Sequence, residues 1–249
     1  MGKERVDEYS FLTKLCGLLT QIEETENEAM EKAARAAYQS IQAGGLLHVF
    51  ASGHSHMIAE ELFFRAGGLV PVNPILAPPL LVQEGAIQSM LNERKPGLAK
   101  ELLEHTPLKA GDTILISSNS GINSVPVEAA CYAKDRGLTV VGITSLEASK
   151  ALPSKQSEGK KLYELCDIVI DNHVPMGDGL LTLPEGVITG GASTFSSLFI
   201  AQRIVLKIEN LYLADGQQPP VYKSANVPGG TEYNDRLIEE YRDRIEFLH

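Results

Sequence analysis

The chain has 249 residues, of which 43% are hydrophobic and 22% charged, a balance that supports one large or two small cores and excludes wholesale disorder. No apolar run approaches the roughly 18–20 residues of a membrane-spanning helix, and the N-terminus MGKERVDEYS has no apolar signal core, so a cytoplasmic protein is expected. Net charge is −10 with no stretch rich in Lys and Arg, which argues against a nucleic-acid partner, because neutralising phosphates requires a clustered basic face.

Residues 4–43 read as helix, with Leu12, Leu15, Leu19 and Ile22, then Met30, Ala33, Ala37 and Ile41, at helical spacing and Gly44–Gly45 as a stop. That length suggests a bend around the acidic residues 23–28. An arm projecting from a compact domain is expected to pack against a partner subunit. Residues 1–45 are therefore taken as a helical arm and dimerisation element, and residues 46–249 as the remainder of one structural domain. Residues 46–51 (LLHVFA) have strand length and enter Ser52, Gly53, His54 and Ser55, followed by helix to Ala66. A second strand is expected at 69–72, a loop at 73–79, and two short helices over 84–105 broken at Pro96–Gly97. Residues 113–117 (TILIS) form the third strand and lead through a serine-rich loop into a helix at 124–136. Strands at 138–144 and 167–171 follow, with final helices over 193–212 and 232–247. Strands alternating with helices predict right-handed crossovers and a parallel sheet covered on both faces.

Two loops share an unusual composition. After the first strand comes Ser52–Gly53–His54–Ser55, and after the third Ser117–Ser118–Asn119–Ser120–Gly121–Ile122–Asn123–Ser124. Glycine permits close backbone approach, and short hydroxyl side chains donate hydrogen bonds without bulk. Each loop is read as opening a helix, whose first turn presents N–H groups and a positive partial charge. Serine and asparagine at a helix start are ordinary caps when taken singly. Two such loops after apolar strands suit a phosphate with sugar hydroxyls. Neither GxGxxG nor GxxxxGK[ST] occurs at these places, so no nucleotide cofactor is expected. The three cysteines, Cys16, Cys131 and Cys166, are widely spaced and form no CxxC pair. They read as small hydrophobes in a reducing compartment.

The segment ILISSNSGINS, with Gly53–His54–Ser55 and Gly191–Ala192–Ser193–Thr194, resembles the sugar-isomerase (SIS) domain family over about residues 46–212. That family includes phosphosugar isomerases, etherases and sugar-phosphate-sensing regulators. The whole chain, with its long first helix and NVPGG tail, most resembles a subgroup labelled phosphoheptose isomerase. The resemblance implies a flavodoxin-like α/β fold: a parallel five-stranded sheet flanked by helices, with a long N-terminal helix and a C-terminal helical tail. It also implies a homodimer or higher homo-oligomer with sites near the subunit interface. By the match, Ser118, Asn119 and Ser120 hold phosphate and Gly121 keeps the turn tight. Asn123 stands where relatives often have threonine. Ser52, Gly53, His54 and Ser55, with Ser193 and Thr194, face the phosphate or the sugar.

The chain departs from the family pattern at the catalytic positions. Isomerases and etherases carry a catalytic Glu ten residues after the first-loop serine, where this chain has Arg65. The family's Gln-Glu-x-His after the last serine–threonine pair falls here on Ile200, Ala201 and Arg203. Glu61, one helical turn before Arg65, and His173, after the fifth strand beside the turn residue Asp178, are the substitute acid/base candidates. His54 is read as ligand contact or loop packing with equal weight, and His56 as structural. No metal-ligand spacing is visible. Two functions stay open: a phosphosugar isomerase or lyase with non-standard acid/base residues, or a non-catalytic sugar-phosphate sensor or scaffold.

Overall fold

The computed structural model describes residues 8–248; the expected helix start at residue 4 and the ends of the two expected segments lie outside that range. The N-terminal region forms two helices, α1 (Glu8–Thr25) and α2 (Asn27–Gln42), instead of one. They part inside the acidic stretch at Glu26, whose backbone leaves helical geometry (φ −103°, ψ 3°). Nor does α2 project. Its Met30, Ala33, Ala34, Ala37 and Ile41 lie in the main core against the sheet and the long later helix at Ser193–Ala214. An amphipathic helix with an alanine-rich inner face fits closely against a neighbour, which explains the burial.

β1 (Leu47–Ala51), β2 (Val72–Ile75), β3 (Thr113–Ser117), β4 (Thr139–Thr144) and β5 (Ile168–Asp171) make one parallel sheet in the order β2-β1-β3-β4-β5. This is the expected flavodoxin-like α/β arrangement. Side chains alternate along β1: Leu47, Val49 and Ala51 join α1, α2, α3 (Met57–Leu62) and α9 (Ser193–Ala214), while Phe50 faces the opposite core. That second core holds α5 (Leu98–Leu103), α6 (Ser124–Asp135) and α8 (Leu162–Leu165). The short helices α4 (Ala86–Asn92) and α7 (Leu146–Ala151) line the same connections, and α10 (Gly230–Tyr241) closes a third cluster with Leu46, Val70 and Tyr222.

Several boundaries differ from those expected. The second strand lies at 72–75, sharing only Val72 with the strand expected at 69–72 and otherwise falling in the segment read as loop. Residues 67–70 instead meet the C-terminal segment, with the Val70 N–H donating to Pro220 at 2.8 Å and the Tyr222 N–H to Gly68 at 2.9 Å. Leu47 N–H donates to the Pro71 carbonyl on the β1 side, so the alternation of the ladder turns the missing N–H of Pro74 to the free edge, where proline is tolerated. Helix α3 stops at Leu62 instead of Ala66, because Phe63 turns extended and packs edge-on to Phe247. The last helix ends at Tyr241, and residues 242–247 are turns. An antiparallel hairpin, β6 (Gly179–Thr182) and β7 (Ile188–Gly191), was not foreseen.

Candidate functional site

The strand order reverses direction between β1 and β3, and in open parallel sheets the crevice beyond the carboxyl ends at such a point receives ligands. Ala51 is paired with Ser117, so the loops after β1 and β3 leave the sheet side by side. The two serine-rich segments therefore meet at the expected place.

The β3 loop is held from behind. Asn119 carbonyl oxygen accepts from the Ser145 N–H at 2.9 Å and the Thr144 hydroxyl at 3.1 Å, and Asn119 Oδ1 accepts from Asn172 Nδ2 at 2.9 Å. Asn119 thus fastens the loop to the ends of β4 and β5. Gly121 has φ +61°, and a Cβ there would come within 2.8 Å of Thr144 Oγ1 and 3.2 Å of Leu162 Cβ. Only glycine fits. Its N–H donates to Ser118 Oγ at 3.3 Å, and Ser120 remains half-buried at the loop's crest. Asn123 occupies the cap position of α6 yet makes no capping bond; it is only 8% exposed, and its Oδ1 has no partner among the described residues. The N-terminus of α6 points its dipole toward the loop, but its own donors are largely engaged. The Val125 N–H donates to the Glu93 carbonyl at 3.1 Å, the Ser124 hydroxyl donates to the Lys155 carbonyl at 3.2 Å, and Pro126 has no N–H, which leaves the loop hydroxyls Ser118 and Ser120 for a ligand.

The β1 loop differs from its expected form. Gly53–His56 is a 3₁₀ turn leading into the six-residue α3, with Gly53 at φ +58°. So short a helix carries little dipole, and the phosphate-binding character rests on α6. Ser52 Oγ is buried without a partner among the described residues. His54, exposed, and Ser55 line a small cleft with Ser193, Thr194 and Ser197 at the start of α9. The fold thereby brings the first loop and the last of the matched motifs together. His56 is buried and hydrogen-bonded to the Gly53 carbonyl, and it is 3.5 Å from Glu60.

Asp178, at φ +63°, closes the start of α9 from outside the helix. Its Oδ1 accepts from the Ser193 N–H at 2.8 Å and its Oδ2 from the Ser193 hydroxyl at 2.9 Å. Glu61 Oε1 accepts from Arg65 and, at 2.7 Å, from Gln202 Nε2. Arg203 forms a two-point pair with Glu23 of α1 at 2.7 and 2.5 Å. His173, at φ +52°, sits between Asp171 and the α1–α2 junction. Thr25 donates its hydroxyl to Gln21, so His173 Nε2–H gives to Thr25 Oγ1 (2.8 Å) and Glu26 Oε1 (3.1 Å), while Nδ1 accepts from Gln21 at 3.3 Å. Both ring nitrogens are thus engaged by the N-terminal helices. Among the described residues, no three His, Cys, Asp or Glu side chains converge as metal ligands.

Sequence reasoning did not single out Gln202, Asn172 or Glu26. Gln202 falls at the variable position of the family motif, and the other two act through contacts more than fifty residues away in the chain, which spacing cannot show.

A five-stranded flavodoxin-like sheet with serine-rich loops at its switch point defines the class. The profile of the SIS domain matches residues 10–145, and the chain belongs to the SIS domain family. A UPF0309 protein of Geobacillus kaustophilus is 40% identical over 230 residues, 90% of this chain and 89% of that protein. Another from Geobacillus thermodenitrificans is 39% identical over 251 residues, 98% of this chain and 97% of its own length. Among solved structures, a phosphoheptose isomerase from Francisella tularensis superposes with a TM-score of 0.53 at 15% identity, covering 81% of this chain and 96% of that one. The sugar isomerase domain of an RpiR transcription factor from Sphaerobacter thermophilus gives 0.52 at 14%, covering 96% and 99%. These structural likenesses concern the fold. Among the described residues no helix is long and apolar enough to cross a membrane.

Proposed function

We propose that the protein binds a phosphorylated sugar, with phosphate against Ser118, Ser120 and the first turn of α6, and the sugar body toward Ser52, Gly53, His54, Ser55, Ser193 and Thr194. The observation that carries this reading is the β3 loop. Its glycine is fixed by conformation and space, its asparagine is anchored behind it, and its hydroxyls stand at a helix N-terminus. Family membership and the phosphosugar isomerases of the same fold support it. Binding without isomerase chemistry is the form favoured here. Arg65, a permanent cation, holds the place of the family's carboxylate, and both nitrogens of His173 are engaged.

One observation favours a second reading, an isomerase or lyase. Glu61 lies half-buried on the helix after the first loop, and its Arg65 and Gln202 bonds use the same oxygen, leaving Oε2 for a substrate proton. A melting-temperature screen against sugar phosphates tests binding, since a ligand of the folded state alone raises stability by mass action. Ser120→Asp, which sets a like charge at the phosphate, should weaken the best ligand at least tenfold. Unchanged affinity in that variant removes the phosphate assignment. Turnover of sedoheptulose 7-phosphate or muramic acid 6-phosphate should be absent, and turnover lost in Glu61→Gln would establish the second reading. We also propose that the chain works as a homodimer in the cytoplasm.

A further inference from the structure

The start of α9 is one of two long-helix N-termini at the crevice, and it is already filled. Asp178 places one carboxylate oxygen on the Ser193 N–H and the other on the Ser193 hydroxyl. Both donors are neutral, and no Lys or Arg of the described residues forms an ion pair with it. The charge of Asp178 is therefore satisfied by hydrogen bonds and by the helix dipole without being cancelled. The N-terminus of α6 has no such internal anion. Its cap residue Asn123 makes no capping bond and leaves a buried oxygen without a partner among the described residues. The two ends of the crevice differ in the charge they tolerate. A carboxylate stands at one, and none caps the other.

From this we infer that Asp178 is a specificity-determining residue which restricts the ligand to sugars with a single anionic group. This rests on the sugar-phosphate reading above. With phosphate at α6, the far end of the sugar lies toward Ser193 and Thr194, beside His54 and Ser55. A neutral hydroxyl there can donate to Asp178, and a hydroxyl or carbonyl can accept from the loop. A second phosphate or a carboxylate meets a like charge, and only short-range competition for the Ser193 donors could admit it. Asp178 holds its place through a left-handed backbone (φ +63°) that aspartate and asparagine both adopt readily. Asp178→Asn therefore removes the charge with the turn retained.

The test compares fructose 6-phosphate with fructose 1,6-bisphosphate, and glucose 6-phosphate with 6-phosphogluconate, by calorimetric titration of the full chain. Wild type should prefer the singly charged member of each pair at least tenfold. In Asp178→Asn that ratio should fall at least fivefold, whichever way the separate affinities move. Raising salt from 0.05 to about 1 M should narrow the wild-type ratio, because the Debye length shortens to about 3 Å. This second measurement needs no variant. Equal or tighter binding of the doubly charged members by wild type overturns the inference, and so does a ratio indifferent to both salt and Asp178→Asn. If no member of either pair binds, or if Ser120→Asp binds the monophosphates as well as wild type, the sugar-phosphate reading itself fails and takes this inference with it.

Discussion

At the residue scale, two glycines at the crevice share a left-handed backbone but not a reason for being glycine. Gly53 has φ +58° and open space where a Cβ would stand, whereas the same atom on Gly121 would strike Thr144, Leu162 and Ser149. Gly53→Ala should thus cost only the left-handed penalty, roughly 1 kcal/mol, and Gly121→Ala about 3 kcal/mol or more, with the phosphate loop displaced. Urea unfolding separates the two, and equal costs would mean that the space behind Gly121 yields. The sequence made Gly121 legible because Ser-x-Ser-Gly follows an apolar strand. No such sign marked His48. His48 is fully buried on β1 between Asn73, at 3.0 Å, and Asp112, at 3.0 Å. Burial opposes ionisation of Asp112, but donors from His48, Lys109 and Leu46 outweigh it and hold the carboxyl below its ordinary value. A depressed carboxyl contributes stability that is present above the unfolded value near 3.9 and lost as pH falls through the folded one. Asp112→Ala should cost about 2–4 kcal/mol at neutral pH by stranding buried donors, and its stability should decline less than wild type's below about pH 4. A parallel decline in both proteins would place the acid sensitivity elsewhere.

At the element scale, the apolar runs of β1, β3, β4 and β5 and the glycine stops were readable because a parallel strand buried on both faces is a continuous apolar segment. The second strand was hidden by Pro74, and the β6–β7 hairpin by alternation too short to stand out. The N-terminal helices show a different limit. Periodicity marked which face of α2 is apolar, but not what covers it. The cover is α9. Ala33, Ala34 and Ala37 are buried there, and their small size sets how closely the helices approach. Enlarging one of them should force the pair apart. Ala37→Leu, at a position with no exposure, is expected to lower stability by about 1–3 kcal/mol, measured as a shift of the denaturant midpoint. A neutral result would mean that the α2–α9 seam is loosely packed. Polar ties also run from α1 to α9, through Glu23 to Arg203, and from the α1–α2 junction to the candidate base, through Glu26 to His173. Those side chains lie some 150–180 residues apart in sequence, which is why spacing arguments set Arg203 at the family's histidine position and His173 after the fifth strand but could not say what holds them.

At the scale of the whole molecule, the surface left over after folding bears on the dimer. On α9, Phe195, Leu206 and Leu213 are 50%, 45% and 55% exposed. Steps of 11 and 18 residues return to nearly the same side of a helix with 3.6 residues per turn, so the three form one stripe, with Phe199 between them. Leu19 of α1 adjoins it beside Phe199, and Phe11 packs edge-on to Phe195 with ring centroids 6.2 Å apart; Leu12 of the same helix is 54% exposed. Scattered apolar residues need no explanation on a monomer, but an apolar band along two packed helices, broken here by Gln202 and Glu209, is a candidate interaction surface. We propose a second copy of the chain as its occupant. The outer side of α1 contributes, α2 is withdrawn into the core, and α9 supplies most of the stripe. Charges set into the middle of the band should separate the subunits with the fold intact. Leu206→Asp, alone or with Leu213→Asp, is expected to shift sedimentation from dimer to monomer, with circular dichroism and the melting of the monomer preserved. Ile87→Asp, on the exposed α4, is the control and should leave the dimer in place. If Leu206→Asp still sediments as a dimer, the subunits meet on another face.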